Sequence, residues 1–202
     1  MKNKQNIKRT AELAILTAIV IVFQLLGSFI HIGPTNVSLV LIPIVIGAIL
    51  TGPKGGAFLG FVFGAMTYFA GVFGIDGFTG VLFAAQPFAT ALICFGKATL
   101  AGLCAGLVYA ALAKKNTLLA AILASATAPI VNTAIFILGG LFLVGGTLSD
   151  NLAGFGASGQ TVVYFLIIGC AGVNFIAEFF VNLVVSPAIH TIIRAVDRKI
   201  SH

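Results

Sequence analysis

The sequence predicts an all-α, polytopic membrane protein built as a bundle of six transmembrane helices, and three observations lead to that prediction. Of the 202 residues, 59% are hydrophobic and only 8% are charged, whereas soluble domains carry about 25% charged residues. The mean hydropathy is +1.15. The apolar residues form long unbroken runs, not the alternating segments of about ten residues that a membrane β-barrel requires. Lipid is therefore the expected solvent, and residues 1–202 are expected to form a single transmembrane domain.

The first two apolar runs differ in length. Span 1 covers about residues 11–30 and follows a basic segment. A signal peptide also begins in this way, but this run is about 20 residues long and has no small-x-small cleavage site, so a span is favoured. Span 2 covers about residues 37–50 and contains Pro43, which predicts a kinked or partly re-entrant helix.

Four further spans are separated by segments rich in Gly, Pro or polar residues. Between spans 3 and 4 we expect an interfacial loop at residues 74–87, with room for a helical turn. Between spans 5 and 6, the Gly- and Ser-rich residues 145–160 are expected to form a mobile loop. The four spans cover about residues 55–73, 88–113, 117–144 and 161–193.

The distribution of Lys and Arg predicts the orientation in the membrane, because cytoplasmic loops carry most basic residues. With the N-terminus in the cytoplasm, all but one of the 11 basic residues fall on the cytoplasmic side, and the outer loops hold Asp76 and Asp150. Both termini are therefore expected in the cytoplasm. Topology also explains the net charge of +6, so a nucleic-acid partner is not indicated. The exception is Lys97, which lies inside span 4, roughly 14 Å from its outer end at 1.5 Å per residue.

Small residues recur at every fourth position on two spans. Such a stripe allows a neighbouring backbone to approach closely, so packing within the bundle is its expected role. The stripes are Gly52, Gly56, Gly60 and Gly64 at span 3, and Ala98, Gly102, Gly106 and Ala110 on span 4. Ala14 and Ala18 form a similar pair on span 1. Packing arguments alone leave open whether that pair faces a partner helix or the bundle itself.

Polar residues within the spans indicate where a ligand could bind. A charge at the bilayer centre costs about 2.5–3.5 kcal/mol, so Lys97 and Glu178 each require a partner. Asn174 and Asn182 lie one helical turn on either side of Glu178 and share its helix face. Asn132 lies near the middle of span 5.

Two interpretations of these groups remain open at this point. In the first, Lys97 pairs with Glu178 and nothing binds. In the second, a water-accessible pocket in the outer half of spans 4–6 receives a small solute whose anionic group faces Lys97. The candidate ligand-binding residues are Lys97, Asn132, Asn174, Glu178, Gln86 and Tyr68.

The sequence lacks the motifs of common enzyme classes. It contains no Gly-x-x-x-x-Gly-Lys-Ser/Thr loop, no His-Glu-x-x-His and no Gly-x-Ser-x-Gly. The three cysteines have no metal or redox spacing and are expected to be small buried side chains; they are Cys94, Cys104 and Cys170. No catalytic residue, metal ligand or cofactor is therefore predicted. A membrane enzyme and a structural subunit without ligand are the alternatives from other functional classes.

Four segments resemble the substrate-binding (S) components of bacterial energy-coupling factor (ECF) vitamin transporters. Ala14-x-x-x-Ala18 is similar to the family's small-residue docking motif. The stretch from Leu41 to Gly60, LIPIVIGAILTGPKGGAFLG, resembles the riboflavin/pantothenate-type branch. Pro129-Ile-Val-Asn132-Thr and Asn174-Phe-Ile-Ala-Glu178 resemble the pantothenate-type group. The resemblance extends over nearly the whole chain.

The resemblance implies a function in vitamin import across the cell membrane. Such a protein binds a vitamin from outside, docks through span 1 onto a membrane coupling subunit (the T component), and depends on two cytoplasmic ATPases. Its pocket lies in the outer half of spans 4–6 beneath the outer loops. Among vitamins, the buried lysine favours an anionic one such as pantothenate. Riboflavin and folate are alternatives, although a scarcity of aromatic residues in spans 4–6 and the absence of Trp argue against stacking of a large ring.

Overall fold

The computed structural model describes most of the chain as a helical bundle. Its described residues are 2–27, 31–32, 35–36 and 39–200, with side chains described at 7–27, 39–188 and 191. The predicted end of span 1 at residue 30 and the predicted start of span 2 at residue 37 lie outside the described residues, as does part of the loop between them.

The secondary structure is almost entirely helical. In chain order the elements are α1 (Lys2–Gly27), β1 (His31–Ile32), β2 (Thr35–Asn36), α2 (Leu41–Thr51), α3 (Pro53–Val72), α4 (Gly77–Ala85), α5 (Pro87–Leu112), α6 (Thr117–Phe142), α7 (Gly145–Asn151), α8 (Val162–Tyr164), a π-helical segment (Phe165–Gly172) and α9 (Val173–Ile200). Among the described residues, β1 and β2 are the only strands, and they form a two-residue antiparallel pair.

The all-α, polytopic fold class is confirmed. Five stretches are long and apolar enough to cross a membrane: α1 from Ile7, α3, α5, α6, and the continuous helix from α8 through α9. The remaining apolar helix, α2, has 11 residues and a length of about 16 Å. That length is short of the roughly 30 Å hydrocarbon core.

The closest helix packing joins α3 to α5. Their small-residue stripes face each other, so that a Cβ on three α3 glycines would collide with the α5 backbone in the pairs Gly56–Gly102, Gly60–Ala98 and Gly64–Cys94. The turn into α3 is made by Gly52, whose φ of 82° favours glycine. The prediction that these stripes pack inside the bundle is confirmed for most of their residues, whereas Ala110 at the end of the α5 stripe is exposed.

Helix α1 lies against α2 and α3 and buries one face only. Leu16, Val20 and Gln24, spaced by four residues, are its buried side chains nearest the core. Ala14 and Ala18 are exposed on another face. The small-residue pair of α1 therefore does not pack inside this chain.

Both long segments between spans contain helices, whereas loops were expected there, with a helical turn allowed only in residues 74–87. Within residues 74–87, Asp76 caps α4 by accepting a hydrogen bond from the backbone N–H of Thr79 at 3.4 Å, and the apolar side chains Phe78 and Leu82 are buried. Residues 145–160 begin with α7, and the fully buried Leu148 anchors it. A side-chain cap and apolar anchors outweigh the glycine content in the first segment, and the apolar anchor Leu148 does so in the second.

The last predicted span is a composite helix. Its outer part is the π-helical segment, in which hydrogen bonds run from residue i to i+5, and α9 continues it as an ordinary α-helix. Helix α9 extends to Ile200, past the predicted end at residue 193, and Pro187 lies within it. The π-helical segment was not predicted.

Candidate functional site

A cavity of about 100 Å³ lies inside the bundle, toward the end of the bundle that α4 covers. Helices α3, α5, α6 and α9 and the π-helical segment form its walls, Gln24 and Gly27 of α1 reach it, and α4 contributes Phe78, Thr79 and Leu82. At about 10–15 Å³ per water, this volume accommodates several water molecules or part of a small solute. The cavity is therefore a space inside the apolar bundle that several polar and charged side chains line.

Lys97 supplies the cationic group of this cavity. It lies on α5 about 15 Å along the helix from Pro87, and its Nζ is 5.2 Å from the ring centroid of Phe136 on α6. The only ion pair between described side chains joins Lys8 and Glu12. No described carboxylate is therefore within ion-pair distance of Lys97, and its described neighbour is the face of an aromatic ring.

Glu178 and Asn174 face the cavity from α9. Glu178 is 6% exposed, and none of the described residues donates a hydrogen bond to its carboxyl group. Its backbone carbonyl accepts from Nδ2 of Asn182 at 2.8 Å, and Nδ2 of Asn174 donates to the carbonyl of Cys170 at 3.2 Å. Asn182 itself does not line the cavity, because it is almost fully buried one turn further along α9.

Asn132 projects from α6 into the same cavity. The residue is 8% exposed, and its Oδ1 is buried with no hydrogen-bond partner among the described residues. Pro129, one turn earlier, lies inside the helix, where it removes one main-chain hydrogen bond. A buried amide oxygen without a donor costs about 1–3 kcal/mol, so this atom is an acceptor available to a ligand.

The short helix α4 forms a further wall. Its cap Asp76 lines the cavity, and Oδ2 of Asp76 accepts a hydrogen bond from Oγ1 of Thr79 at 2.7 Å. The sequence analysis placed Asp76 in an outer loop and missed this wall. The available signal was the spacing of Asp76 and Thr79, which is typical of a capped helix start.

Aromatic rings close one side of the cavity. Phe78 of α4 lies 6.0 Å from Phe136 and 5.3 Å from Phe155, and Phe155 stacks on Phe165 at 5.5 Å between centroids. The expectation of few aromatic residues in spans 4–6 is wrong, because those spans contain Phe136, Phe165 and eight further Phe or Tyr residues. Its use as an argument against a ring-shaped ligand no longer holds.

The structure brings together four of the six predicted ligand-binding residues: Lys97, Asn132, Asn174 and Glu178 all line the cavity. Gln86 and Tyr68 are not among its lining residues. Nε2 of Gln86 donates to Oγ1 of Thr147 at 3.1 Å, and the ring of Tyr68 packs against other aromatic rings outside the cavity, those of Phe69, Phe83 and Phe95. Both side chains were predicted to line the cavity from their depth in the membrane alone, and in the structure both point away from it.

Several lining residues were missed. Thr90 and Cys94 precede Lys97 at i−7 and i−3, so they share its face of α5. That spacing was a usable signal. Thr67 of α3 and Cys170 of the π-helical segment also line the cavity, and no pattern in the sequence distinguished them from other small buried residues.

Comparison with known proteins gives one match. A family model described as "ECF transporter, substrate-specific component" matches residues 8–190, a range that includes every lining residue of the cavity. No curated protein matches the chain.

Proposed function

We propose that this chain, which belongs to the family of ECF transporter substrate-specific components, binds a small anionic vitamin in the cavity inside the bundle. Membership of the family makes the chain a transport subunit of a multi-pass plasma-membrane complex. The proposed ligand is pantothenate or another small anionic vitamin.

The observation that carries this proposal is the position of Lys97. Its ammonium group lies inside the bundle, lines the cavity and has no described carboxylate within ion-pair distance. Burial of a cation in a membrane bundle is costly, so an anionic ligand group is the partner that offsets this cost. The alternative, an internal pair with Glu178, would require the two groups to approach each other.

The remaining cavity groups suit the rest of such a ligand. The amide groups of Asn132 and Asn174 can bond hydroxyl and amide groups, and pantothenate carries both kinds together with its carboxylate. The apolar surfaces of Phe63, Phe78 and Phe136 suit its hydrocarbon part. Gln86 and Tyr68, which do not line the cavity, are given no role in ligand contact.

We also propose the assembly in which the chain acts. Members of the family associate with a membrane T component and two ATPases. Ala14 and Ala18 are exposed on α1 and are the proposed contact with the T component. The charge distribution supports a cytoplasmic location for both termini. A thiol introduced at the N-terminus should then be labelled only after the cells are permeabilised.

The proposal is tested by Lys97→Met. Mass spectrometry of the purified chain first identifies any solute that co-purifies, and its dissociation constant is then measured by calorimetry together with that of pantothenate. The variant should fold and bind at least about tenfold more weakly, because loss of a charge-assisted hydrogen bond costs about 1.5–3 kcal/mol. Lys54→Met, at an exposed lysine outside the cavity, is the matched control and should bind normally.

A double variant separates the two roles of the lysine. If Lys97 served only to neutralise Glu178, Lys97→Met combined with Glu178→Gln would bind with wild-type affinity. That result would contradict the proposal. An alcohol analogue of the ligand should bind the wild type and Lys97→Met with similar affinity, since it carries no charge for the lysine to bind.

A further inference from the structure

We infer that the ligand carries one anionic group and at least two hydrogen-bond donors, and that it lies with the anion at Lys97 and the donors toward Glu178 and Asn132. This inference rests on the proposed function and adds to it the chemical class and orientation of the substrate. It follows from the hydrogen-bonding capacity that the lining residues leave unused.

Several donors on the cavity wall are already engaged. Three threonine hydroxyls that line the cavity donate within the chain. Oγ1 of Thr67 donates to the carbonyl of Phe63 at 3.1 Å, and Oγ1 of Thr90 to the carbonyl of Gln86 at 2.9 Å. Oγ1 of Thr79 donates to Asp76. A hydroxyl has one donor and two acceptor sites, so these three groups can offer a ligand only acceptor sites.

Acceptors on the opposite walls remain unused. Oδ1 of Asn132 has no partner among the described residues, and none of them donates to the carboxyl group of Glu178. Both residues are more than nine-tenths buried, which makes an unsatisfied acceptor costly. The groups that satisfy such acceptors are N–H and O–H donors of a ligand.

The charges set the orientation. Lys97 is the only Lys, Arg or His among the described lining residues, and it lies on α5 beside Phe136. Glu178 lies on α9 and Asn132 on α6. A ligand anion is attracted to Lys97 and repelled by a carboxylate at Glu178, whereas hydroxyl, amide or ammonium groups find acceptors there. A cavity with one cationic group and several acceptors suits a ligand with one anionic group and several donors.

The test uses a panel of probes on the purified full chain in detergent, read by thermal stability and calorimetry. The panel holds pantothenate, its analogue with both hydroxyls replaced by hydrogen, its alcohol analogue without the carboxylate, hexanoate and choline. Any co-purified solute is added. We expect pantothenate or the co-purified solute to bind at least about tenfold more tightly than analogues that lack either the anion or the donors.

Variants test the orientation. Glu178→Leu and Asn132→Leu should weaken the hydroxylated probe at least about tenfold and change the binding of its deoxy analogue by less than about twofold, since that analogue cannot use the removed acceptors. In the same way, Lys97→Met should weaken the binding of probes that carry the carboxylate at least about tenfold and change the binding of probes without it by less than about twofold. Ser125→Ala is the matched control, because its Oγ is also buried and unpaired among described residues but lies outside the cavity lining.

The outcomes distinguish the two levels of the proposal. Equal binding of the deoxy and hydroxylated acids, or a co-purified solute with fewer than two donors or with no anionic group, overturns this inference and leaves the solute-binding function intact. If no panel member binds and no solute co-purifies, the proposed function fails and the inference fails with it. The panel on the unmodified chain decides between these outcomes even where a variant does not fold.

Discussion

The same small-residue spacing occurs in two regions of this molecule with opposite environments. Between α3 and α5, glycine and alanine backbones touch, and a Cβ on Gly60 would overlap the backbone of Ala98. On α1, Ala14 and Ala18 repeat the spacing, yet both are exposed. One stripe holds the bundle together, and the other lies on its outer surface.

The difference teaches that spacing identifies a surface that can be approached closely but not what approaches it. Burial distinguishes the two helices. In the apolar 18-residue stretch of each helix, 44% of the α3 residues are buried, against 22% of the α1 residues. A helix that buries so little and still presents small residues outward has a surface suited to another helix. For an S component, the T component is the proposed occupant of that surface.

The largest effect is expected from Gly60→Leu. The side chain would have to occupy space filled by the α5 backbone, which cannot be relieved by a rotamer change, so α3 and α5 must separate. We expect most of the protein to be lost as a folded species, measured as the monodisperse fraction in size-exclusion chromatography after detergent extraction. Phe58→Leu, at an exposed position of the same helix, should extract normally. Wild-type yield of Gly60→Leu would show that the stripe is not a tight contact.

The second effect is expected in transport without loss of folding. Replacing both Ala14 and Ala18 by Leu should abolish vitamin uptake in cells, since the bulky side chains would block a partner helix. Ligand affinity and thermal stability of the purified chain should stay within about 0.5 kcal/mol of wild type, as for other surface substitutions. Ala134→Leu, at an exposed alanine of α6, is the matched control and should support uptake. Equal loss of ligand binding and uptake would reassign the pair to internal packing.

The smallest effect is expected from Gly96→Ala, which lies on α5 but off its packed stripe. A Cβ there has no heavy atom within 4 Å among the described residues, so the substitution adds helix propensity without a clash. The expected change is a stabilisation of up to about 1 kcal/mol. Thermal unfolding measures it. Gly102→Ala, whose Cβ would meet the backbone of Gly56, should instead destabilise, and similar results for the two variants would remove the distinction between the faces.

Most of the fold could be predicted from the sequence because the bilayer fixes the length of a spanning apolar run. The four cavity residues were found for a related reason. Lys97, Asn132 and Glu178 are conspicuous in apolar helices, and Asn174 follows from Glu178 by helical periodicity. These signals are local, so a single sequence contains them.

The missed features depend on tertiary packing. Asp76 reaches the cavity only because α4 packs over it with Phe78 and Leu82 buried, and no periodicity in a nine-residue helix specifies where it docks. Tyr68 and Gln86 lie at the predicted depth, but their side chains point away from the cavity. Depth follows from counting residues, whereas rotation depends on which neighbouring helix each face contacts.

The π-helical segment affects the directions in which the buried side chains of the last spanning helix point. Leu166, Cys170, Glu178 and Asn182 are buried at multiples of four residues, a spacing that would wind around an α-helix by about 40° per step. The wider turns of residues 165–172 counter this angular drift. The rotation of α9 about its own axis therefore depends on the winding of residues 165–172. Gain or loss of one residue in this segment during evolution would rotate Glu178 by about 100°, so the groups that face the cavity would change without a substitution at any cavity-lining position.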